Sequence, residues 1–236
     1  FQNPEFYKAQ AMRMSVWDKP RVIGCAENYP QHIALPRGCL DAALDLLRDN
    51  DIACDLRDER FGGEPIDVSF VGTLRLDQEA AIASMLGHDA GVLCAPTAFG
   101  KTVTAAAMIA RRGVNTLVLV HRTELLKQWQ ERLQAFLGVD KGVVGTIGGG
   151  KAKPTGKIDI AVMQSLVRKG EVNPVVQRYG QVIVDECHRQ YAVIPKWIAA
   201  RPDLPFVGLS ATPWSKGLGK MFDDLIVLTT TQKLID

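Results

Sequence analysis

The sequence predicts an α/β protein in which a domain with a mostly parallel, doubly wound sheet follows a small α/β domain. Three observations predict this fold class. From Val71 onward, short apolar strand patterns alternate with helical patterns. Several strand patterns are continuous apolar runs, which is typical of parallel strands buried on both faces of a sheet. One such strand leads into a loop that contains Gly100-Lys101-Thr102 and opens a helix, as phosphate-binding loops do.

Three parts are predicted along the chain. Residues 1–20 show no clear period and form an N-terminal extension, either a short surface helix or the tail of a preceding domain. Residues 21–70 form the small α/β domain and 71–236 the larger one, with a boundary in the charged, Gly/Pro-rich stretch 57–67. Because the chain begins with Phe1 rather than Met, we expect it to be a fragment or a trimmed chain.

The small domain is expected to contain one helix among three short strands. Strands are predicted at 22–26, 32–35 and 52–56. A helix is expected to begin at Pro36, a favourable first helical residue, and to end near Asn50. Its apolar residues share one face: Leu40, Ala43, Leu44 and Leu47.

The larger domain is expected to alternate strands and helices around one sheet. Its predicted strands are 91–95, 116–120, 143–147, 158–163, 182–185 and 206–209. One intervening helix has Thr123 as its expected N-cap. The apolar face of that helix is formed by Leu126, Trp129, Leu133, Phe136 and Leu137. In such a fold, ligands bind at the carboxyl ends of the strands.

Composition narrows the classes of function. A net charge of +2 permits a nucleic-acid partner but does not by itself indicate one. The five cysteines form no C-x-x-C pair, which argues against a zinc cage or a thioredoxin-type site. Their odd number favours reduced, mostly buried thiols in a cytoplasmic protein. The longest apolar stretch, 105–110, is far too short to cross a membrane.

The phosphate loop, residues 95–102, is the first candidate site. Triphosphate binding needs backbone N–H groups around the phosphates, a helix N-terminus, a lysine, and a hydroxyl for Mg²⁺. We expect the loop to bind ATP through Thr97, Gly100, Lys101 and Thr102. Ala95 stands where the strict pattern has glycine, and Ala98 with Phe99 replaces a smaller, glycine-containing middle, so weaker phosphate binding is expected. The alternative is a loop that merely starts a helix.

The D-E-C-H segment, residues 185–188, is the second candidate site. It follows the apolar strand 182–185. Asp185, at the carboxyl end of that strand, is expected to hold Mg²⁺, and Glu186 to orient and deprotonate the attacking water. Taken alone, such a segment is more often a solvated acidic turn with a surface histidine. Behind a buried strand and after a phosphate loop, it predicts an ATPase.

These motifs together resemble the superfamily 2 helicases of the DExH type. Ser210-Ala211-Thr212, the S-A-T segment, is similar to their motif III, and the segment 74–78 resembles the L-R-x-x-Q stretch before motif I. Segments 119–129, 146–151 and 160–166 are similar to motif Ia, the glycine loop after it and motif Ic. The resemblance covers about 74–213. It is strongest to XPB-like and UvsW-like DNA helicases and to type I and type III restriction motor subunits.

The resemblance implies a RecA-like P-loop domain and a role for each matching residue. Gln78 would select adenine, and His188 would relay the nucleotide state towards Ser210 and Thr212; the alternative for His188 is a locally bonded histidine at a helix start. DNA, single- or double-stranded, would be held without sequence preference. The implied backbone contacts are Arg122, Gly149, Gln164 and Ser165.

The resemblance also implies that ATP hydrolysis needs a second RecA-like domain of the same protein, so this chain alone is expected to be nearly inactive. Three functions stay open. The first is an ATP-dependent helicase, and the second is a translocase of a restriction or remodelling system that never separates strands. The third is a nucleotide-gated DNA-binding module without turnover. The motifs do not distinguish DNA from RNA, nor do they indicate polarity or pathway.

Overall fold

The chain forms two compact units, residues 1–58 and 59–236. The computed structural model describes residues 4–22, 26–35, 39–57, 62–168, 171–188, 204–212 and 224–227. Within these ranges, no helix has the length and apolar character that a bilayer crossing requires.

Among its described residues, the first unit contains two helices and one hairpin. Helix α1 spans Pro4–Ala11, strands β1 (Glu27–Asn28) and β2 (Ile33–Ala34) pair antiparallel, and helix α2 spans Leu40–Asp49. As predicted, Asn50 closes α2, and its backbone N–H donates to the Leu47 carbonyl at 3.2 Å. The predicted start at Pro36 lies outside the described residues.

Of the strands predicted in this unit, one does not match the structure and another lies mostly outside the described residues. The strand predicted at 52–56 is wrong: this segment is irregular, and Ile52 and Leu56 are more than half exposed. A strand needs a neighbour for its backbone N–H and C=O groups, and within the described residues none pairs with this segment. Of the strand predicted at 22–26, the structure describes Val22 and Ala26, and neither belongs to the hairpin.

The second unit is built around one eight-stranded sheet in the order β12-β3-β11-β10-β4-β7-β5-β6. Every pairing is parallel except that of β5 with β6. Its strands are β3 (Ala90–Cys94), β4 (Thr116–Val120), β5 (Val144–Gly148), β6 (Lys151–Lys153), β7 (Ile158–Val162), β10 (Gln181–Asp185), β11 (Phe206–Ser210) and β12 (Asp224–Val227). The six strands predicted from the sequence are confirmed to within one residue at each end. Strands β6 and β12 were not predicted.

In the part of this unit that the structure describes, the helices are α3 (Leu76–Leu86), α4 (Lys101–Arg112) and α5 (Glu124–Leu137). Short 3₁₀ turns cover Thr97–Phe99, Met163–Leu166 and Pro174–Arg178, and a separate hairpin pairs β8 (Val167–Arg168) with β9 (Glu171–Val172).

Both faces of the sheet are buried, and alternate residues of one strand show this. Val118 and Val120 of β4 lie in a core cluster with apolar residues of α3, α4 and α5. Leu117 and Leu119 lie in a second cluster, on the other face, with residues of the 3₁₀ turns. Burial on both faces explains why the strands are continuous apolar runs. The α/β fold class with a mostly parallel sheet is thereby confirmed.

Helix α5 has the predicted apolar face but not the predicted cap. Leu126, Trp129 and Leu133 are buried as expected. Thr123 occupies the N-cap position, yet its side chain makes no capping hydrogen bond. The reason is its backbone, which is already helical at φ −63° and ψ −33°, whereas a capping residue is usually extended.

The prediction that the cysteine thiols are mostly buried holds only in part. Cys94 and Cys187 are buried, and burial raises the pKa of both thiols, that of Cys187 to about 12. Cys39 is only half-buried and Cys54 is exposed, and Cys25 lies outside the described residues.

Asn115 joins three segments at the amino ends of the strands. It is 1% exposed and precedes β4. Its Oδ1 accepts hydrogen bonds from the backbone N–H groups of Glu64 and Gly180, both at 2.9 Å. Its Nδ2 donates to the carbonyls of Gly156 at 3.2 Å and Arg178 at 2.7 Å. One side chain thus satisfies four backbone groups from loops distant in sequence.

We expect Asn115→Ala to destabilise the protein by about 3 kcal/mol, because it removes four hydrogen bonds to backbone groups, three of them partly buried and one buried. The measurement is the free energy of unfolding in urea. Asn173→Ala is the matched control, since Asn173 is exposed and caps one 3₁₀ turn through a single bond to Val175 N; it should cost about 1 kcal/mol or less. Equal losses in the two variants would contradict the role given to Asn115.

Candidate nucleotide and nucleic-acid sites

Strand order divides the carboxyl edge of the sheet into two regions. Three adjacent strands, β3, β11 and β10, end in the phosphate loop, the S-A-T segment and the D-E-C-H segment. The next three, β4, β7 and β5, end beside the residues implied to hold nucleic acid. Two neighbouring sites on one edge are therefore a consequence of the strand order.

The phosphate loop connects β3 to α4 and depends on Gly100. Its φ of +88° lies in the left-handed region, which favours glycine. A Cβ at this position would lie 2.9 Å from Nε2 of Gln78. The loop therefore approaches α3 closely at Gly100 and then opens α4, whose first two residues are Lys101 and Thr102. Thr97 begins the 3₁₀ turn that precedes Gly100.

Two of the three unusual residues of the loop, Phe99 and Ala95, are buried, whereas Ala98 is exposed. Phe99 is fully buried in the core, and its ring packs under the Arg75 guanidinium at 5.3 Å. Ala95 is also buried, and its N–H donates to the Ser210 carbonyl at 2.9 Å. The large side chain at position 99 is thus accommodated by the core. Weaker phosphate binding stays a prediction.

Gln78 is held by protein groups at both ends of its amide. Its Nε2 donates to the Phe99 carbonyl at 2.8 Å, and its Oε1 accepts from the Arg75 backbone N–H at 3.0 Å. Only 4% of Gln78 is exposed. The amide therefore connects the start of α3 to the phosphate loop, and adenine selection by Gln78 stays a prediction. Arg75, which also donates to the Phe99 carbonyl at 3.1 Å, was missed by the sequence analysis.

Glu186 has a strained backbone that sets the direction of its carboxylate. Its φ of +52° lies in the left-handed region, which is uncommon for residues other than glycine and concentrates at functional sites. Its Oε1 lies 3.4 Å from Nζ of Lys101, and its Oε2 lies 3.3 Å from Nδ1 of His188. One carboxylate therefore contacts both the phosphate-loop lysine and the histidine of the D-E-C-H segment.

His188 contacts the S-A-T segment across the sheet. Its Nδ1 lies 2.9 Å from Oγ of Ser210, which is fully buried, and the Thr212 backbone N–H donates to the same Oγ at 3.0 Å. His188 thus has a contact with a distant segment besides its local contact with Glu186, and its role as a relay stays a prediction. Contacts run without a break from Lys101 through Glu186 and His188 to Ser210.

Asp185 is held by a residue that the sequence analysis assigned only to the core. Nε1 of Trp129 donates to its Oδ2 at 2.9 Å. Burial raises the pKa of Asp185, while the bond from Trp129 and the charge of Lys101 act to lower it. A polar N–H on an otherwise apolar helix face is the signal that could have identified Trp129. The carboxylate of Asp185 and the hydroxyl of Thr102 are oxygen donors of the kind Mg²⁺ prefers.

The implied nucleic-acid residues surround one open pocket. Arg122, Gln164 and Ser165 line a pocket of about 580 Å³ together with His121, Thr123, Glu124 and Val162. Gly149 borders it, because a Cβ there would lie 2.9 Å from Cγ2 of Thr123. The structure thus brings all four residues together. It also adds Glu124, an acidic residue that the sequence analysis did not expect.

This layout agrees with comparisons to known proteins. Residues 72–215, more than half of the chain, match the family described as type III restriction enzyme, res subunit. The chain belongs to this family. It is a RecA-like motor domain of the superfamily 2 helicase type, as its motifs predicted.

Curated relatives and a solved structure agree with this membership. The chain is 32% identical over 161 residues to a putative DNA 3′-5′ helicase Rad25 of Halobacterium salinarum, covering 67% of this chain and 27% of that protein. It is 30% identical over 145 residues to the DNA 3′-5′ translocase XPB2 of Sulfurisphaera tokodaii, covering 59% and 31%. The fold is similar to that of the UvsW helicase from bacteriophage T4, with a TM-score of 0.60 and 16% identity over 96% of this chain and 89% of that one. The chain thus spans less than a third of the two curated relatives.

In this motor domain, Gly100→Ala should weaken nucleotide binding by about tenfold or more. The added methyl meets Gln78 and strains a left-handed backbone, at a cost of about 1–3 kcal/mol. Binding of a fluorescent ATP analogue measures the effect. Gly113→Ala is the matched control, since Gly113 has φ +63° but nothing within 4 Å of its Cβ position. It should lose stability and keep nucleotide affinity; a similar loss of affinity in both variants would contradict this account.

Proposed function

We propose that this chain is the ATP-hydrolysing motor domain of a DNA helicase or translocase. The continuous contacts from Lys101 to Ser210 carry the proposal, because they connect a phosphate loop to the S-A-T segment in the order that a nucleotide-driven motor needs. The adjoining pocket with Arg122 supplies a place for nucleic acid. The names of two relatives, a DNA helicase and a DNA translocase, support DNA as the polymer.

In the proposed nucleotide site, Thr97, Gly100 and Lys101 hold the phosphates, and Gln78 selects adenine. Thr102 and Asp185 would hold Mg²⁺, which when bound neutralises charge that develops on the transferred phosphoryl group. Glu186 orients the attacking water and accepts its proton.

The pair between Lys101 and Glu186 would change when a triphosphate binds. Only 9% of the Lys101 side chain is exposed, so its ammonium has few competing partners in water. A triphosphate carries more negative charge than one carboxylate and therefore attracts this lysine more strongly. We infer that the lysine moves towards the phosphates and leaves Oε1 of Glu186 available to water.

His188 would carry this change to the S-A-T segment. Its Nδ1 lies between Oε2 of Glu186 and Oγ of Ser210, at 3.3 Å and 2.9 Å. Any displacement of Glu186 alters the partner of His188 and, through it, Ser210 and Thr212. These contacts support the proposed role of Ser210 and Thr212 in coupling.

Nucleic acid would be held through its backbone by Arg122, Gly149, Gln164 and Ser165. Arginine, amide and hydroxyl groups bind phosphate oxygens, and such contacts carry no sequence information. The glycine exposes a backbone N–H that a phosphate can approach. Binding without sequence preference is therefore proposed, to single- or double-stranded DNA.

The three candidate functions do not agree equally well with the residues of the site. A nucleotide-gated binding module without turnover is disfavoured, because Lys101, Asp185 and Glu186 are all intact. Strand separation and translocation without separation remain alternatives for the whole protein. We propose that a second RecA-like domain of the same protein completes the ATP site, that this chain alone turns over slowly, and that the protein acts in the cytoplasm.

The nucleotide site is tested by two substitutions in the full-length protein. Lys101→Ala should abolish ATP binding, because it removes the cation directed at the phosphates. Glu186→Gln should keep ATP bound and stop phosphate release. Lys127→Ala is the control, since Lys127 is exposed and pairs with Glu131 on the surface of α5; it should behave as wild type. Unchanged ATP affinity in Lys101→Ala would refute the assignment of this loop.

The nucleic-acid site is tested by the double variant Arg122→Ala with Gln164→Ala. Its affinity for single-stranded DNA should fall alike for unrelated sequences. The slope of log affinity against log salt should also become less steep, by about 0.7 for each phosphate that the variant no longer neutralises. Fluorescence anisotropy at several salt concentrations measures both. Arg132→Ala, an exposed arginine on α5, is the charge-matched control. A strong sequence preference in the wild type would count against backbone binding.

A further inference from the structure

Trp129 makes a contact that the proposed mechanism does not yet use. It is 4% exposed, lies in the middle of α5, and donates its indole N–H to Asp185. We propose that Trp129 is a positioning residue that fixes the Asp185 carboxylate for Mg²⁺. This inference rests on the proposed function, because it assigns a partner to the proposed metal ligand.

The geometry of the bond favours a positioning role. The indole N–H can only donate, so it occupies Oδ2 and leaves Oδ1 to a cation. Within the described part of the chain it is the one hydrogen bond that this carboxylate accepts. A carboxylate held at one oxygen cannot turn about its Cβ–Cγ bond without breaking that contact. Trp129 therefore determines where Oδ1 points.

The neighbourhood of Asp185 makes such a donor necessary. The carboxylate is partly buried, and the carboxylate of Glu186 follows it directly in the chain. Two adjacent carboxylates repel each other, and the ammonium of Lys101 contacts Glu186. The donor from α5 gives Asp185 a partner outside that pair.

Helix α5 is well suited to hold the donor still. Leu126, Leu133 and Leu137 anchor the same face of the helix in the core. The ring of Trp129 packs in the same cluster. Position and direction of the N–H are thus fixed before any ligand binds, which is what a metal ligand needs from its supporting residue.

The alternative is that Trp129 only fills the core and that its N–H takes the nearest acceptor. Trp129→Phe separates the two, because it keeps an aromatic ring and removes the N–H. Trp129→benzothienylalanine is a second, closer variant, in which sulfur replaces the N–H and the shape of the ring system is kept. Leu133→Val is the control for loss of packing on the same face of α5.

The experiment uses the full-length protein. Mg²⁺ is added in steps, and binding of a fluorescent ADP analogue is measured at each concentration. The fluorophore of the analogue is itself excited, rather than a tryptophan of the protein. In both Trp129 variants, the Mg²⁺ midpoint should rise about tenfold, the effect of losing one hydrogen bond to a charged group. Binding at saturating Mg²⁺ should be recovered. Leu133→Val should lower the unfolding temperature and leave the midpoint unchanged.

The outcomes separate this inference from the function on which it rests. A midpoint in the benzothienylalanine variant equal to that of wild type would overturn the positioning role and leave the proposed nucleotide site intact. An equal shift in Leu133→Val would also overturn it, because loosened packing would then be sufficient. Wild-type nucleotide binding that is independent of Mg²⁺ would instead refute the proposed metal site itself.

Discussion

The parallel pairing of β11 with β3 on one side and β10 on the other is the constraint on which the nucleotide site depends. Ser210 pairs with Cys94, and Leu209 pairs with Asp185. Three strands that are far apart in sequence therefore end at the same level of the sheet. The phosphate loop, the D-E-C-H segment and the S-A-T segment start from these ends, so their side chains can meet. A shift of one residue in either pairing would separate them.

Gly208 shows how closely this pairing is packed. A Cβ on Gly208 of β11 would lie 2.8 Å from Sγ of Cys187 and 3.1 Å from Cγ2 of Val92. Only a glycine at position 208 leaves room for the Cys187 side chain. The turn after β10 can then fold back over β11, and Cys187 N–H donates to the Leu209 carbonyl at 3.1 Å. Close packing at one glycine thus supports the position of the whole D-E-C-H segment.

The sequence was sufficient where burial alone decides the structure. Strands such as β4, covered on both faces, are uninterrupted apolar runs and were located to within one residue. The segment 52–56 is also mostly apolar, although Asp55 interrupts it, but it has no partner strand among the described residues. Pairing between distant segments leaves no local signal. Strand β6 was missed because it is a strand without an apolar run. Lys151 and Lys153 are exposed on this edge strand, where lysine is common and apolar residues are not required. Motifs likewise located the site residues but not their contacts, since Trp129 and Asp185 are 56 residues apart.

Two adjacent carboxylates in the D-E-C-H segment are connected to different parts of the domain. Asp185, the last residue of β10, accepts its hydrogen bond from α5, the helix whose first turn lines the pocket with Arg122. Glu186 turns in the opposite sense because its backbone is left-handed, and it contacts Lys101 and His188. The strain at Glu186 therefore has a structural consequence: it allows neighbouring residues to contact separate elements. Asp185 is the proposed Mg²⁺ ligand, and α5 links it to the nucleic-acid pocket. Glu186 is the proposed base that activates water, and His188 links it to the S-A-T segment. A change at either site would then reach ATP through a different carboxylate.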